Sequence, residues 1–376
     1  MSKKPLHRQI EPRHARLIVI AACAFAAVAA AAIVYTNHLE SGSIAMITRT
    51  HTIPLAVLGD SDSHSYQDTI SFPESTPARG GTFRPITLQW TEVLARLRGE
   101  RIDLGRWGVW GQPDLVPRAI ALFGIKVRKP RKRDYRFNFA VSGATCGDLL
   151  GGWREVDSLL DVIHEDMGRW RQGIVVIRIG VNTFATAASL DRLARDPSAP
   201  EVTAMIDACV SGIRTTVTRI HALQPHLRIV LVGIFDESHW TKYLDRWQTA
   251  AEIANIDVGL DSFDDALRSI ASHDPRIAFF DDRAWFRKLW GGRDAQGVPA
   301  YRALPIAGMH VTNTSGDDPG NAVLADGHAG LVWNTLWAKA LVELLNTEFD
   351  VGLEPLTDVE IAAFIQALVH DTRVPE

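Results

Sequence analysis

The sequence predicts an α/β domain built on a parallel β-sheet, carried behind one apolar segment near the N-terminus. Three observations lead there. Strand-length apolar runs rich in β-branched residues recur along the chain, Ile174–Ile179 and Ile229–Ile234 among them, as suits strands buried on both faces. Longer stretches with apolar residues at three- and four-residue steps separate these runs, and alternating strands and helices imply a parallel sheet covered on both faces. Finally, Leu17–Tyr35 is nineteen residues without a charge. As a helix it reaches about 28 Å, close to the hydrocarbon thickness of a bilayer.

Residues 1–16 form a basic tail, with Lys3, Lys4, Arg8, Arg13 and Arg16 against Glu11. That imbalance predicts a cytoplasmic N-terminus and export of the chain beyond the apolar segment. Residues 17–36 fit an uncleaved transmembrane signal anchor by length. A cleaved signal peptide and a lipoprotein signal at "IAAC" are the alternatives. Residues 37–53 read as a polar stalk, and 54–350 as an extracytoplasmic domain, periplasmic in a Gram-negative bacterium. Within it, strands are expected at Pro54–Leu58, Phe137–Val141, Ile174–Ile179, Ile229–Ile234 and Ile277–Phe280. Helices are expected at Glu201–Leu223, at Tyr243–Ala271 with a break near Asp257, and at Gly330–Leu345. Residues 351–376 hold a last helix, Asp358–Val369, behind a Thr357 cap. Two insertions, near 100–135 and 291–325, are expected to be loops that shape a cleft.

Composition narrows the function. Hydrophobic residues at 46% and charged ones at 22% are ordinary for a globular chain of 376 residues, and a net charge of -4 gives no reason to expect a nucleic-acid partner. Cys23, Cys146 and Cys209 allow at most one disulfide and show no metal-ligand spacing.

Four short blocks fall at strand ends or ahead of a helix: Gly59-Asp60-Ser61, "SGATCGD" with Gly143, "GVNTF" with Gly180 and Asn182, and "LADGHAG" with Asp326 and His328. Ligands on parallel sheets bind at the carboxyl ends of the strands. The residue types are those that acyl transfer needs. A serine hydroxyl becomes a nucleophile when an imidazole takes its proton, and a carboxylate fixes the imidazole tautomer and steadies the imidazolium. The tetrahedral oxyanion requires preorganised N–H donors. Gly143 and Ser61 can offer backbone N–H groups, and Asn182 a side-chain amide.

In these blocks the chain resembles the SGNH hydrolases, or GDSL esterase/lipase family, matched in order by Ser61, Gly143, Asn182 and His328 over about Pro54–Leu345. The resemblance implies a flavodoxin-like three-layer α/β/α sandwich. It also implies hydrolysis of carboxylic esters, from O-acetylated sugars to acyl lipids, without metal or other cofactor. On this reading Ser61 is the nucleophile, His328 the base and Asp326 its acid, and Gly143, Asn182 and the Ser61 amide form the oxyanion hole. Asp60, His64, Gly180 and His310 are possible lining residues, with His310 the rival base. The chain departs from the family pattern at Asp62, at Thr183, and in the two-residue spacing of Asp326 and His328. That spacing leaves Asp317, Asp318 or a backbone carbonyl as alternative partners for the ring.

Other features have competing readings. Asp60 suits turn formation, His64 and Ser65 a helix-starting polar cluster, and Cys146 a small buried thiol. Trp107 and Trp110 suit core or lid packing, with sugar stacking as the alternative. The basic run Lys126–Arg136 reads as a solvated loop or a site for anionic polymer or lipid headgroups. Asp60 and Asp62, with Asp281 and Asp282, resemble the acids of Mg-dependent haloacid dehalogenase-type phosphatases, which leaves "GVNTF" and "LADGHAG" unused. A non-catalytic, membrane-tethered binding module is the remaining alternative. The expected partners are an ester substrate, such as acylated polysaccharide or lipid, and the membrane through the N-terminal helix.

Overall fold

The computed structural model describes residues 52–113 and 127–371. The basic tail, the apolar segment and nearly all of the stalk lie outside them. No helix among the described residues is long and apolar enough to cross a membrane.

The core is a five-stranded parallel sheet. Its strands are β1 (Ile53–Gly59), β2 (Ile102–Asp103), β5 (Ile174–Arg178), β6 (Arg228–Val232) and β7 (Ile277–Phe280), in the spatial order β2-β1-β5-β6-β7. Counted along the chain this is the 2-1-3-4-5 order of flavodoxin-like sheets. Successive side chains of a strand point to opposite faces, and here both faces are apolar. Leu55, Val57, Ile174, Val176, Val230 and Val232 pack on one side, against α1 (Trp90–Arg98), α8 (Leu331–Phe349) and α9 (Asp358–Asp371). Ala56, Leu58, Val175, Ile177, Ile229 and Leu231 pack on the other, against α2 (Glu155–Glu165), α5 (Pro200–Leu223) and α6 (Ala250–Ser272). Short helices α3 (Val181–Phe184) and α4 (Ala187–Arg195) follow β5, and α7 (Asp282–Trp290) follows β7.

Several expectations need correction. Phe137–Val141 is no regular strand: it meets β1 in a single bridge, Val57 with Asn138. Its backbone nonetheless hydrogen-bonds alongside β1, through Val57 N–H to Phe137 O and Val141 N–H to Gly59 O. The break near Asp257 does not occur. Helix α6 runs through it and starts at a Thr249–Glu252 capping box, because Ile253, Ile256, Leu260, Phe263 and Leu267 keep one continuous buried face. The two insertions are not plain loops. The first holds an antiparallel pair, β3 (Trp107–Trp110) with β4 (Lys132–Tyr135). The second holds a small sheet of β8 (Leu304–Ile306), β9 (Met309–Ser315) and β10 (Asn321–Val323). Nor is the basic run a solvated loop where it is described. Lys132 is buried and bonds Asp134 at 2.8 Å, and Arg128 donates to the carbonyls of Arg136 and Asn138. Trp107 packs edge-on against Tyr135, and Trp110 bonds the Asp134 carbonyl, so both tryptophans are engaged within the hairpin.

Cys146 is not a free thiol. It forms a disulfide with Cys209 on α5, closing a loop of 63 residues and tying the turn after Gly143 to the helix behind it. Cross-links of this span stabilise by about 2–4 kcal/mol. Replacing both cysteines by alanine is therefore expected to lower unfolding free energy by about that amount in denaturant titration. Reductant is expected to have no further effect on the double variant; an unchanged midpoint would show that the bond contributes nothing.

Candidate active site

Three of the four blocks follow sheet strands or the segment beside them, and the fourth follows β10. The first turn begins where β1 is squeezed against β5. A Cβ on Gly59 would stand 2.1 Å from the Arg178 carbonyl oxygen, so the position admits only glycine. The Gly59 N–H donates to buried Glu155 at 2.7 Å. Asp60 then organises the turn, as expected: Oδ1 accepts from the Asp62 N–H at 3.0 Å, and its carbonyl accepts from the Ser63 and His64 N–H groups. Burial, aided by the neighbouring charge of Asp62, pushes the Asp60 carboxyl up to about 8. A neutral Asp60 spares the turn a buried anion next to Ser61. Arg178, also buried, holds the Asp62 carbonyl at 3.0 Å and Asp282 at 2.8 Å. Ser61 itself is half-buried, and its N–H has no hydrogen-bond acceptor among the described residues.

The second turn carries Gly143, with φ at 82°. A Cβ there would meet nothing within 4 Å, so the residue faces open space, and its N–H too has no acceptor among the described residues. His64 starts no helix. It is buried, and its Nδ1 accepts the Ser142 N–H at 3.0 Å. The ring proton is therefore on Nε2, which donates to Asp68 at 2.9 Å. Burial, with the nearby Lys132 charge, lowers the His64 pKa and keeps the ring neutral. Asn182, on α3 after Gly180, donates one amide hydrogen to the Ala144 carbonyl at 3.0 Å, leaving the other unassigned. Thr183, where the family pattern has aspartate, accepts from the Cys146 N–H at 2.9 Å, so the departure still ties the two turns together.

The last turn contains the irregular pair. Asp326 Oδ1 lies 3.0 Å from His328 Nδ1, with both side chains 22% exposed. Gly327, with φ at 80°, supplies the turn that lets residues two apart meet. Partial burial disfavours the Asp326 anion, but the hydrogen bond to His328 and the charges of His328 and Arg79 hold it well below the usual carboxylate range. The alternative partners are engaged elsewhere: Asp317 accepts from the Ala325 N–H, and Asp318 from the Gly320 N–H. His310 is exposed on β9, paired with Pro305 of β8, and is not brought to these turns. Tyr66 brings the first and last turns together, donating to the Ala329 carbonyl at 3.0 Å. Trp240 anchors the last from another side, through the Gly327 carbonyl at 3.0 Å.

A family model described as GDSL-like lipase/acylhydrolase matches residues 57–299. The chain belongs to this family. It is accordingly a serine ester hydrolase. The chain is also similar to solved structures. A catalytic mutant of an acetylxylan esterase from Geobacillus stearothermophilus is 16% identical over 81% of this chain and 96% of that chain, with TM-score 0.37. An extracellular lipase from Streptomyces rimosus is 16% identical over 78% and 100%, with TM-score 0.39. Phospholipase A1 from Streptomyces albidoflavus is 15% identical over 78% and 99%, with TM-score 0.36. No curated protein sequence matches the chain significantly. For this GDSL-family chain the phosphatase acids have other work: Asp281 caps α7, and Asp282 is bound by Arg178 and Trp337.

Two residues at the site carry no motif in the sequence. Arg79, in a Gly-rich segment, contacts Asp326 and His328. Glu237, in the turn after β6, is buried. Burial pushes it up to about 8, with the charges of Asp62, Asp236 and Asp60 acting in the same direction. Its ordinary value is 4.5. The stability it lends is thus complete below that pH and is lost as pH rises through about 8. Glu237→Gln removes the titration, so its melting temperature relative to wild type is expected to climb by several degrees across that window, given about 2–4 °C per kcal/mol. A difference that stays constant with pH would refute the assignment.

Proposed function

We propose that the protein is a membrane-anchored, extracytoplasmic serine esterase acting on O-acyl groups of envelope carbohydrate or lipid. The observation that carries the mechanism is the pairing of Asp326 with His328 Nδ1. With the ring proton on Nδ1, the Nε2 lone pair is free to act as base. Ser61 Oγ attacks the ester carbonyl carbon as its proton passes to His328 Nε2. The oxyanion that forms is held by the Gly143 and Ser61 N–H groups and by the remaining Asn182 amide hydrogen, each donor supplying about 2.7–4 kcal/mol. Collapse expels the alcohol, which takes the proton from Nε2 and leaves an acyl-Ser61. Water, deprotonated by His328, then attacks this ester, and the returning proton restores Ser61 while the carboxylic acid departs.

Support for the anchor and for export comes from the basic tail, the apolar run Leu17–Tyr35 and the Cys146–Cys209 disulfide, a bond that persists in oxidising compartments. A catalyst held at that surface meets envelope esters first.

Ser61→Ala is expected to abolish p-nitrophenyl acetate hydrolysis and fluorophosphonate labelling while leaving the melting temperature near wild type. Asp326→Ala is expected to lower kcat/KM at least about tenfold, equivalent to about 1.4 kcal/mol. Full turnover in Ser61→Ala would end the esterase reading, and a smaller loss in Asp326→Ala would remove that carboxylate from the triad.

A further inference from the structure

Arg79 is distant in sequence from both the Gly143 turn and the His328 turn, yet it touches each. It adopts a left-handed backbone, φ 63°, ahead of Gly80 and Gly81, and is 3% exposed. Its backbone N–H and its Nη1 both donate to Asp326 Oδ2, at 2.8 and 2.9 Å, and Nη1 also lies against His328 Nδ1. Its Nη2 donates to Ser142 Oγ at 3.1 Å. The guanidinium lies over the Phe72 ring at 4.3 Å and 5.3 Å from the Tyr66 ring.

We propose that Arg79 is the positioning residue of this site, joining the turn that carries the base to the turn that carries an oxyanion donor. The inference rests on the roles given above to His328 and Gly143. Two donors from one residue occupy Asp326 Oδ2, which leaves Oδ1 for the imidazole. A carboxylate is a stronger acceptor for a guanidinium than a neutral ring nitrogen. Arg79 is therefore committed to Asp326, and Nδ1 keeps the proton that frees Nε2. At its other end Arg79 holds the Ser142 hydroxyl, while His64 holds the Ser142 N–H. Ser142, the residue directly ahead of the Gly143 N–H, is thus held from two sides. A rigid, permanently charged fork suits this work in a way that a single ammonium does not, and the Asp326 charge and the aromatic rings offset its burial.

Full-length protein is assayed with p-nitrophenyl acetate, with Ser61→Ala as control. Arg79→Ala is expected to lower kcat about 10²-fold, the scale of a 1 Å misplacement, with KM within about threefold. Added guanidinium ion is expected to restore part of kcat, which a purely structural loss would not allow. Ser142→Ala, which removes only the Nη2 acceptor, is expected to lower kcat by less than Arg79→Ala. A folded Arg79→Ala with kcat within about threefold of wild type overturns the proposal, as does a loss confined to KM. Should Arg79→Ala not fold, Arg79→Lys decides: the proposal requires reduced kcat at unchanged KM, and wild-type kcat overturns it. Activity retained in Ser61→Ala would instead defeat the esterase reading itself, whatever Arg79 does.

Discussion

A methyl group at position 59 would collide with the Arg178 carbonyl oxygen, and the site depends on that closeness. Because residue 59 is glycine, β1 and β5 stay paired in register up to Gly59 and Arg178. The chain then leaves both strands at the same level. The Ser61 turn and the Gly180–Asn182 turn therefore emerge side by side at the carboxyl edge of the sheet, where helix-covered parallel sheets place their ligands. The rest of the site is brought to this edge by contacts from outside the sheet.

Those contacts are largely buried charges. Arg178 fastens the Ser61 turn from below through the Asp62 carbonyl. Asp134 receives the Ser65 hydroxyl and the Lys132 ammonium. Arg84 reaches the carbonyls of Tyr66, Asp68 and Phe72. Removing such groups from water costs several kcal/mol per ion, and the cost is offset only where geometry and hydrogen bonding are complete. An arrangement of this kind is weak evidence for stability, but it tolerates few alternative geometries. A loop carrying a nucleophile gains from that: a shift of about one ångström removes more rate than a modest gain in stability returns. Within the basic run 127–136, Arg128 and Lys132 illustrate the point, since both turn inward onto carbonyls and a carboxylate behind the Ser61 turn.

The Ser142 neighbourhood shows how a disulfide to a helix and a buried histidine divide one task. Cys146–Cys209 anchors the far end of the Gly143 turn to α5, and neutral His64 holds its near end. Gly143 lies between them, open to space on its Cβ side. A backbone donor is presented well when its neighbours are fixed and it is itself unobstructed.

Local chemistry was legible in the residues alone. Apolar runs marked four of the five sheet strands, since a strand buried on both faces has to be continuously apolar. The glycines at 59 and 143, and the order of serine, glycine, asparagine and histidine, marked the turns. The short strand Ile102–Asp103 and the small sheets in the insertions escaped, because short strands with mixed burial carry no periodic signal. Amphipathic spacing suggested a break in α6 that the continuous buried face removed. Which polar residues would meet was not legible: Asp326 reaches His328 across a glycine turn, and Arg79 reaches them across 247 and 249 residues. Periodicity and short motifs were thus enough to set the sheet, the family and the inventory of chemical groups, because all three are local properties of the chain. The contacts of Arg79, the burial of His64 and Lys132, and the pairing of Cys146 were settled only when the chain folded. Each depends on a long-range contact and on the cost of leaving a polar group unpaired in the interior, and neither is written in neighbouring residues.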